Sequence, residues 1–385
     1  MEASYELHRC FRCGYCKFPG SYVDLNCPAY QRFRFESYST GGRLWLIRAW
    51  LNGEIAWSPH LAEVVYACTT CRNCMEQCPF KFKDLLLDMV LAGRRAMVEK
   101  GLVPPKVKEF LENLLKQGNP WGMSREKRAS WAVDLPRYRD GHEYLLYVGC
   151  LASYDERAQK TARSLARLLS EAHVPYGILG NEEECDGNEA YMLGEEGLFE
   201  LLAERNLEKF KELGVKKVVA LSPHAYHVMV NLYPKLEKGT LEVLHYTQLL
   251  QRLLEEGRLK PSRMEVKVTY HDPCYLGRHN RIFDPPRQVL ESIPGLKLLE
   301  MERSRENALC CGGGAGNFYI DLLAGRNSPA RVRVREAYDT GASVLAVACP
   351  ACLIMLEDAV KEEGLDGELM VKDVAEVLME ACLRG

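Results

Sequence analysis

Apolar positions along this chain change their period twice, and the changes divide it. Before residue 100 they fall at helical spacing. Leu44, Ile47 and Leu51, with Arg48 beside them, predict a helix within Gly41 to Ile55. Asp84 to Lys100 predicts a second, amphipathic helix, stopped by Gly101 and then Pro104-Pro105. A short helix, Val107 to Leu115, follows among many charges and Gly118-Asn119-Pro120, which reads as a bridge. From Tyr144 onward short apolar runs alternate with longer amphipathic ones, the signature of α/β layers with largely parallel strands.

That second region repeats itself. Its first half predicts a strand at Tyr144 to Val148, then a helix opened by a capping box of Ser153 and Glu156. A helix at Leu198 to Leu213, a strand at Val215 to Leu221, the stretch Leu241 to Leu244 and a helix at Gln248 to Glu256 complete it. The second half predicts a strand at Val266 to His271, a helix at Pro329 to Thr340 and a strand at Ser343 to Ala348. It ends on Glu368 to Val371 and a helix from Asp373 to Cys382. Two equivalent halves would bring their marked loops together at strand ends, where open α/β sheets bind ligands.

Composition changes the picture at one residue type. With 385 residues, 47% hydrophobic, 27% charged and a net charge of −3, the chain has room for two or three ordinary domains. It lacks the basic character of a nucleic-acid binder. Sixteen cysteines are the outlier. Met1 to Cys10 is polar, and no run of about 18 apolar residues could span a membrane, so a reducing cytoplasm is expected. Metal ligation is then a better account of the thiols than disulfides.

Eight cysteines lie in two N-terminal runs. Cys10, Cys13 and Cys16 step at C-x2-C spacing, with Cys27-Pro28 beyond; Cys68, Cys71 and Cys74 do the same before Cys78-Pro79. Short gaps let a looping backbone turn three thiolates onto one small object while a fourth arrives from afar. In two-cluster ferredoxins that fourth cysteine serves the other cluster. The expected ligands are therefore Cys10, Cys13, Cys16 and Cys78 for one [4Fe–4S] cubane, and Cys68, Cys71, Cys74 and Cys27 for another. Zinc also uses C-x2-C pairs, but has no use for three cysteines in consecutive steps plus a remote Cys-Pro, twice over. The helical insert between the runs resembles the α-helical ferredoxin domain of respiratory iron–sulfur subunits. Arg32, Arg34 and the aromatics near them read as a solvated or packing surface.

In the second half Cys274 is followed by Cys310-Cys311-Gly312 and by Cys349-Pro350-Ala351-Cys352. Adjacent cysteines fit a disulfide framework poorly but can offer two sulfurs to a multi-metal centre, and the glycines permit close backbone approach. Cys349 opens a helix whose free N–H groups favour thiolate. The pattern, with His271-Asp272-Pro273-Cys274, Leu276-Gly277-Arg278 and Cys310-Cys311-Gly312-Gly313-Gly314, resembles the CCG domain of the B- and D-type subunits of heterodisulfide reductase. Their relatives include iron–sulfur subunits of glycerol-3-phosphate, glycolate and lactate dehydrogenases, and a benzoyl-CoA reductase-associated homologue. The resemblance implies a non-cubane [4Fe–4S] cluster on Cys274, Cys310, Cys311, Cys349 and Cys352. It also implies an α-helical ferredoxin domain (1–103), a linker (104–140), a degenerate CCG repeat (141–260) and a complete one (261–385).

The first repeat departs from the pattern. It keeps Cys150 and Cys185, but Asp186 stands at the place of the second paired cysteine, and Ser222 and Ala225 replace Cys-x-x-Cys. Either His224 and His227 join the two cysteines at a small metal site, or the half is scaffold. Heterodisulfide cleavage in this family uses two facing clusters, so the loss weakens the case for that reaction. The expected function is an electron-transfer subunit of an anaerobic oxidoreductase complex. A thiol–disulfide reductase acting at the non-cubane cluster is the alternative. Gly312 to Gly316 follows a cysteine pair rather than a strand and is no dinucleotide loop, so a flavoprotein or dehydrogenase partner is expected, through which membrane association would be peripheral. His271, Asp272, Arg278 and His279 either assist protons or an anionic substrate near Cys274, or hydrogen-bond its loop. Cys382 reads as an ordinary thiol.

Overall fold

Eight short strands form two separate four-stranded parallel sheets in a computed structural model of the chain, which describes residues 7–18, 25–237, 239 and 241–383. The first sheet holds β1 (Tyr144–Tyr147), β2 (Tyr176–Gly177), β3 (Lys217–Ala220) and β4 (Glu242–His245), in the order β2-β1-β3-β4. The second holds β5 (Val266–Tyr270), β6 (Leu296–Leu299), β7 (Val344–Val347) and β8 (Met370–Asp373), in the equivalent order β6-β5-β7-β8. Inner strands β1 and β7 are buried at every position. They therefore read in sequence as unbroken apolar runs, as parallel strands covered on both faces do.

This order puts a topological switch point between β1 and β3, and another between β5 and β7, where successive connections leave in opposite directions. Cys150 follows β1 and Ser222 follows β3; Cys274 follows β5 and Cys349 follows β7. The repeats meet reciprocally. Helix Glu156–Glu171, after β1, packs on helix Val374–Cys382, after β8, while Asp284–Glu291, after β5, packs on Tyr246–Glu255, after β4. Arg157 pins the first of these contacts, bonding Glu376 at 2.6 and 2.8 Å and the Val371 carbonyl at 3.0 Å.

The N-terminal region is helical, with Thr40–Leu51, Pro59–Tyr66 and Leu86–Glu99 around a core of Leu44, Ile47, Val65, Met89 and Val90. One contiguous apolar cluster joins this core to both repeats. Arg94, fully buried, donates to the carbonyls of Val65, Tyr66 and Cys68 on its own side and of Met192 in the first repeat.

Most predicted elements lie where the pattern puts them, with one clear correction. The helix after β1 is not opened by Ser153. Ser153 lies inside a short helix, Gly149–Tyr154, and Asp155 is the N-cap of Glu156–Glu171, accepting from the Ala158 N–H at 2.9 Å. A carboxylate is at least as good a cap as a hydroxyl, and Asp155 has the extended backbone a cap requires. Asp84 is likewise in a 3-10 turn, Lys81–Leu85, before the α-helix begins at Leu86. The pattern missed edge strands β2 and β6, which are too short or too mixed to carry a period.

Candidate metal centres and the cavity between the repeats

Each C-x2-C step of the N-terminal runs contains one residue in the left-handed region: Arg12 (φ 59°), Gly14 (φ 93°), Thr70 (φ 53°) and Arg72 (φ 61°). These turns curl the backbone so that successive thiols face inward. Cys10 has Cys13 and Cys78 as electrostatic neighbours, and Cys16 has Cys10, Cys13 and Cys27. Cys27 faces Cys68 and Cys71, while Cys74 faces Cys68, Cys71 and, across the gap, Cys16. A pocket opens among Cys27, Cys68, Cys71 and Cys74. Burial pushes the thiol of Cys16 up to about 12 and that of Cys27 to about 11. Thiolates crowded in this way need a compensating cation, and the two groups of four sulfurs fit iron–sulfur centres. Cys13 is exposed, so the first group reaches the surface.

The five C-terminal cysteines come together at the second switch point. The sulfurs of Cys274 and Cys310 lie 3.9 Å apart, those of Cys311 and Cys352 lie 3.4 Å apart, and Cys349 has Cys352 as an electrostatic neighbour. Backbone N–H groups of Gly312 and Gly313 donate to the sulfurs of Cys310 and Cys311 at 3.4 and 3.5 Å. Cys349 is the N-cap of helix Pro350–Glu362. His271 Nδ1 accepts from Arg333 at 3.1 Å, but its buried Nε2 has no hydrogen-bond partner. One nitrogen of this ring and the sulfurs of Cys311 and Cys352 lie within 4.8 Å of one another. Five converging sulfurs, N–H groups aimed at them and an orphaned imidazole nitrogen fit an anionic multi-metal centre.

The two regions touch. Cys71 and Cys310 are electrostatic neighbours, and Thr69 Oγ1 lies 3.8 Å from the Cys310 sulfur. Arg278 sits between them: it donates to the Cys71 carbonyl at 2.7 Å and is drawn up in pKa, against burial, by Cys71, Cys274 and Cys310. Its guanidinium also holds the carbonyls of Glu306 and Ala308. Asp272 forms a bidentate pair with Arg287 at 2.7 and 2.9 Å and accepts from the Arg305 N–H. His279 bonds the Thr70 carbonyl at 2.8 Å and stacks on Tyr275. Arg278 and His279 thus hold the Cys274 loop against the N-terminal region, while Asp272 fixes it within its own repeat. His271 Nε2, Arg278 Nη2 and His279 Nδ1 are buried without a hydrogen-bond partner, and Arg278 also lies beside the sulfurs of Cys71, Cys274 and Cys310.

At the first switch point a cavity is lined by Cys150, Cys185, Asp186, Glu189, Ser222 and His224, with Pro350 and Phe318 from the second repeat. Burial raises the carboxyls of Asp186 and Glu189. Burial lowers the His224 imidazole, yet Cys349, Glu189 and Asp186 outweigh it and hold the ring up to about 9. Its Nδ1 is 3.9 Å from the Cys349 sulfur, so His224 forms a wall shared by the two repeats. His227 does not join Cys150 and Cys185; its Nδ1 lies 3.2 Å from Asn231 and 3.5 Å from Asn280. Arg128, from the bridging segment, reaches the Cys150 sulfur at 3.7 and 3.8 Å and pairs with Glu183 at 2.8 Å. Neither Arg128 nor Glu189 stands in a motif, so spacing gave no signal for them. Arg32 and Arg34 donate to carbonyls of Ala324 and Gln31, as a packing surface would, and Cys382 is half-buried against the second apolar cluster.

Comparison with known proteins agrees with this layout. The family model CCG, a cysteine-rich domain, matches residues 144–229 and again 268–357, and a 4Fe-4S dicluster domain matches residues 6–82. The chain is 39% identical to a probable iron–sulfur-binding oxidoreductase, FadF, of Bacillus subtilis over 83% of its own length and 47% of the relative's. It is 34% identical to the EtfAB:quinone oxidoreductase of Syntrophomonas wolfei, covering 98% of this chain and 58% of that one. The chain thus spans about half the length of these two relatives. It is 31% identical to the D-type subunit of the dihydromethanophenazine:CoB–CoM heterodisulfide reductase of Methanosarcina barkeri, over 98% of this chain and 94% of that one. A crystal structure of a hypothetical Helicobacter pylori protein shares the fold, with a TM-score of 0.55 and 11% identity over 99% of this chain and 72% of that one. Among the described residues no helix is long and apolar enough to cross a membrane.

Proposed function

We propose that this chain, which belongs to the CCG-domain iron–sulfur oxidoreductase family that includes the D-type heterodisulfide reductase subunits, is an electron-transfer subunit of a larger redox complex. Two cubane clusters would be held by Cys10, Cys13, Cys16 and Cys78 and by Cys27, Cys68, Cys71 and Cys74. A non-cubane cluster would be held by Cys274, Cys310, Cys311, Cys349 and Cys352. Such clusters supply one-electron steps, with potentials set by charge, hydrogen bonds and burial.

The observation that carries this reading is an unbroken succession of cysteine neighbours from surface to interior. It runs from exposed Cys13, through Cys16 beside Cys27, to Cys71 in contact with Cys310. The names of the relatives, an EtfAB:quinone oxidoreductase and a part of a heterodisulfide reductase, support a flavoprotein or dehydrogenase partner at the surface end. Cytoplasmic residence, with peripheral membrane association only through that partner, belongs to the same reading, because its thiols need reducing surroundings.

Anaerobic purification with iron and acid-labile sulfide analysis tests it. About twelve irons per chain are expected for three four-iron clusters. About eight would remove the C-terminal cluster, and zinc without sulfide would sink the relay altogether. The cavity against the Cys349 loop favours one second reading, thiol–disulfide reduction at the C-terminal centre. Disulfide-dependent oxidation of a reduced viologen would bring that reading forward.

A further inference from the structure

The degenerate repeat has lost three of five cysteines, yet the two that remain line one cavity as electrostatic neighbours. Cys150 and Cys185 are both buried, at 8% and 5% exposure, on the wall of the cavity between the repeats. Each is the other's strongest electrostatic neighbour, and the Cys150 thiol donates to the Gly118 carbonyl at 3.3 Å. The Arg128 guanidinium lies against the Cys150 sulfur at 3.7 and 3.8 Å, held there by Glu183 and by the carbonyls of Gly118 and Glu184.

A metal ion is a poor occupant of this place. Two thiols are too few for a cluster, and a mononuclear site needs a third ligand whose donor atom meets theirs. Among the described residues only His271, Cys311 and Cys352 bring three such atoms together. Asp186 accepts from the Asn188 N–H at 2.8 Å, and His224 lies between Glu189 and Cys349. A fixed guanidinium on Cys150 favours thiolate while repelling a second cation.

We propose that Cys150 and Cys185 form a dithiol/disulfide couple, a two-electron sulfur centre occupying the position at which the second repeat places a metal centre. Exchange with a small disulfide joins the two sulfurs and reduces that disulfide to two thiols, which take up the two electrons and two protons; a small dithiol, closing to its own disulfide, restores both protein thiols. Cys185 beside it, with Arg128 behind, draws the Cys150 thiol below its ordinary range, against burial, which suits the attacking member of such a pair. The couple borders the C-terminal centre through His224, 3.9 Å from Cys349. It would let the protein hold electrons in pairs beside centres that pass them singly.

The test uses the full cluster-loaded chain, equilibrated without oxygen in glutathione buffers of graded poise, then trapped with an alkylating reagent and analysed by peptide mass spectrometry. Cys150 and Cys185 should pass together from two alkylated thiols to one linked pair as the buffer becomes oxidising, and return on reduction. Cys150→Ser should leave Cys185 singly alkylated at every poise, and Cys185→Ser should do the mirror image. Both thiols alkylated at the oxidising end would overturn the couple. So would glutathione adducts without a link, or zinc bound in proportion to the protein and lost in either variant. The relay reading fails separately: twelve irons with no linked pair refutes only the couple, and a linked pair in a protein without sulfide refutes only the relay.

Discussion

Asp373 shows how one buried carboxyl ties stability to pH. It caps helix Val374–Cys382, accepting from the Ala375 N–H at 2.8 Å and from the Tyr246 hydroxyl at 2.6 Å, while its second oxygen finds no partner. Burial raises its pKa from an ordinary 3.8 to about 8. Between those values the native state keeps a proton that the unfolded chain has lost. The contribution is therefore fully present below about pH 4 and is lost as the pH rises through 8. Urea unfolding of the full chain should show stability declining over this range, by at most about 1.4 kcal/mol per pH unit from this group. Asp373→Asn keeps a capping oxygen without the charge, and should flatten that slope; an unchanged slope would place its origin elsewhere.

At the scale of elements, the three glycines after Cys311 have different work. A Cβ on Gly314 would lie 2.4 Å from the Thr69 carbonyl oxygen, in the backbone of the N-terminal cysteine loop. At Gly313 its one tight contact would be the Met355 side chain, at 3.0 Å, with the Cys311 sulfur at an ordinary 3.7 Å. Gly314→Ala should therefore cost about 1–3 kcal/mol, as overpacking against rigid atoms does. It should also part Cys71 from Cys310 and lower iron retention at the C-terminal site, which iron analysis would read. Gly313→Ala should be mild, because a methionine can move aside. The glycine run was visible in the sequence as a place of close approach, but not what approaches. The same limit held elsewhere. Period and turn residues disclosed β1, β3, β5 and β7, the inner strands: β1 and β7 are apolar throughout, and β3 and β5 carry a lysine only near their less buried start. They did not disclose β2, two residues long, nor that Asp155 rather than Ser153 caps the following helix. Choosing between neighbouring caps depends on backbone angles that composition does not reveal.

For the whole molecule, cysteine spacing announced two N-terminal groups and one C-terminal group, because ligand geometry is written in local sequence. The junction between them was not legible, since it is built by side chains that belong to no motif. Arg94 is the clearest case. From helix Leu86–Glu99 it reaches four carbonyls, those of Val65, Tyr66 and Cys68 in the N-terminal region and of Met192 in the first repeat. Its guanidinium also lies over the Tyr66 ring, whose hydroxyl donates to the Leu193 carbonyl at 3.1 Å. One cation thus joins a cysteine-bearing loop to the degenerate repeat, and the apolar cluster around it is continuous with both. A length-matched Arg94→Met should cost about 3 kcal/mol or more, because it strands several buried carbonyls at about 1–3 kcal/mol each. Loss of a surface charge would cost far less. The more telling readout is cooperativity. If Arg94 couples the regions, the variant should release iron from its N-terminal cysteines at a lower denaturant concentration than that at which the repeats unfold. In the parent chain the two signals should coincide. Coincident signals in both proteins would mean that the shared apolar core alone holds the regions together.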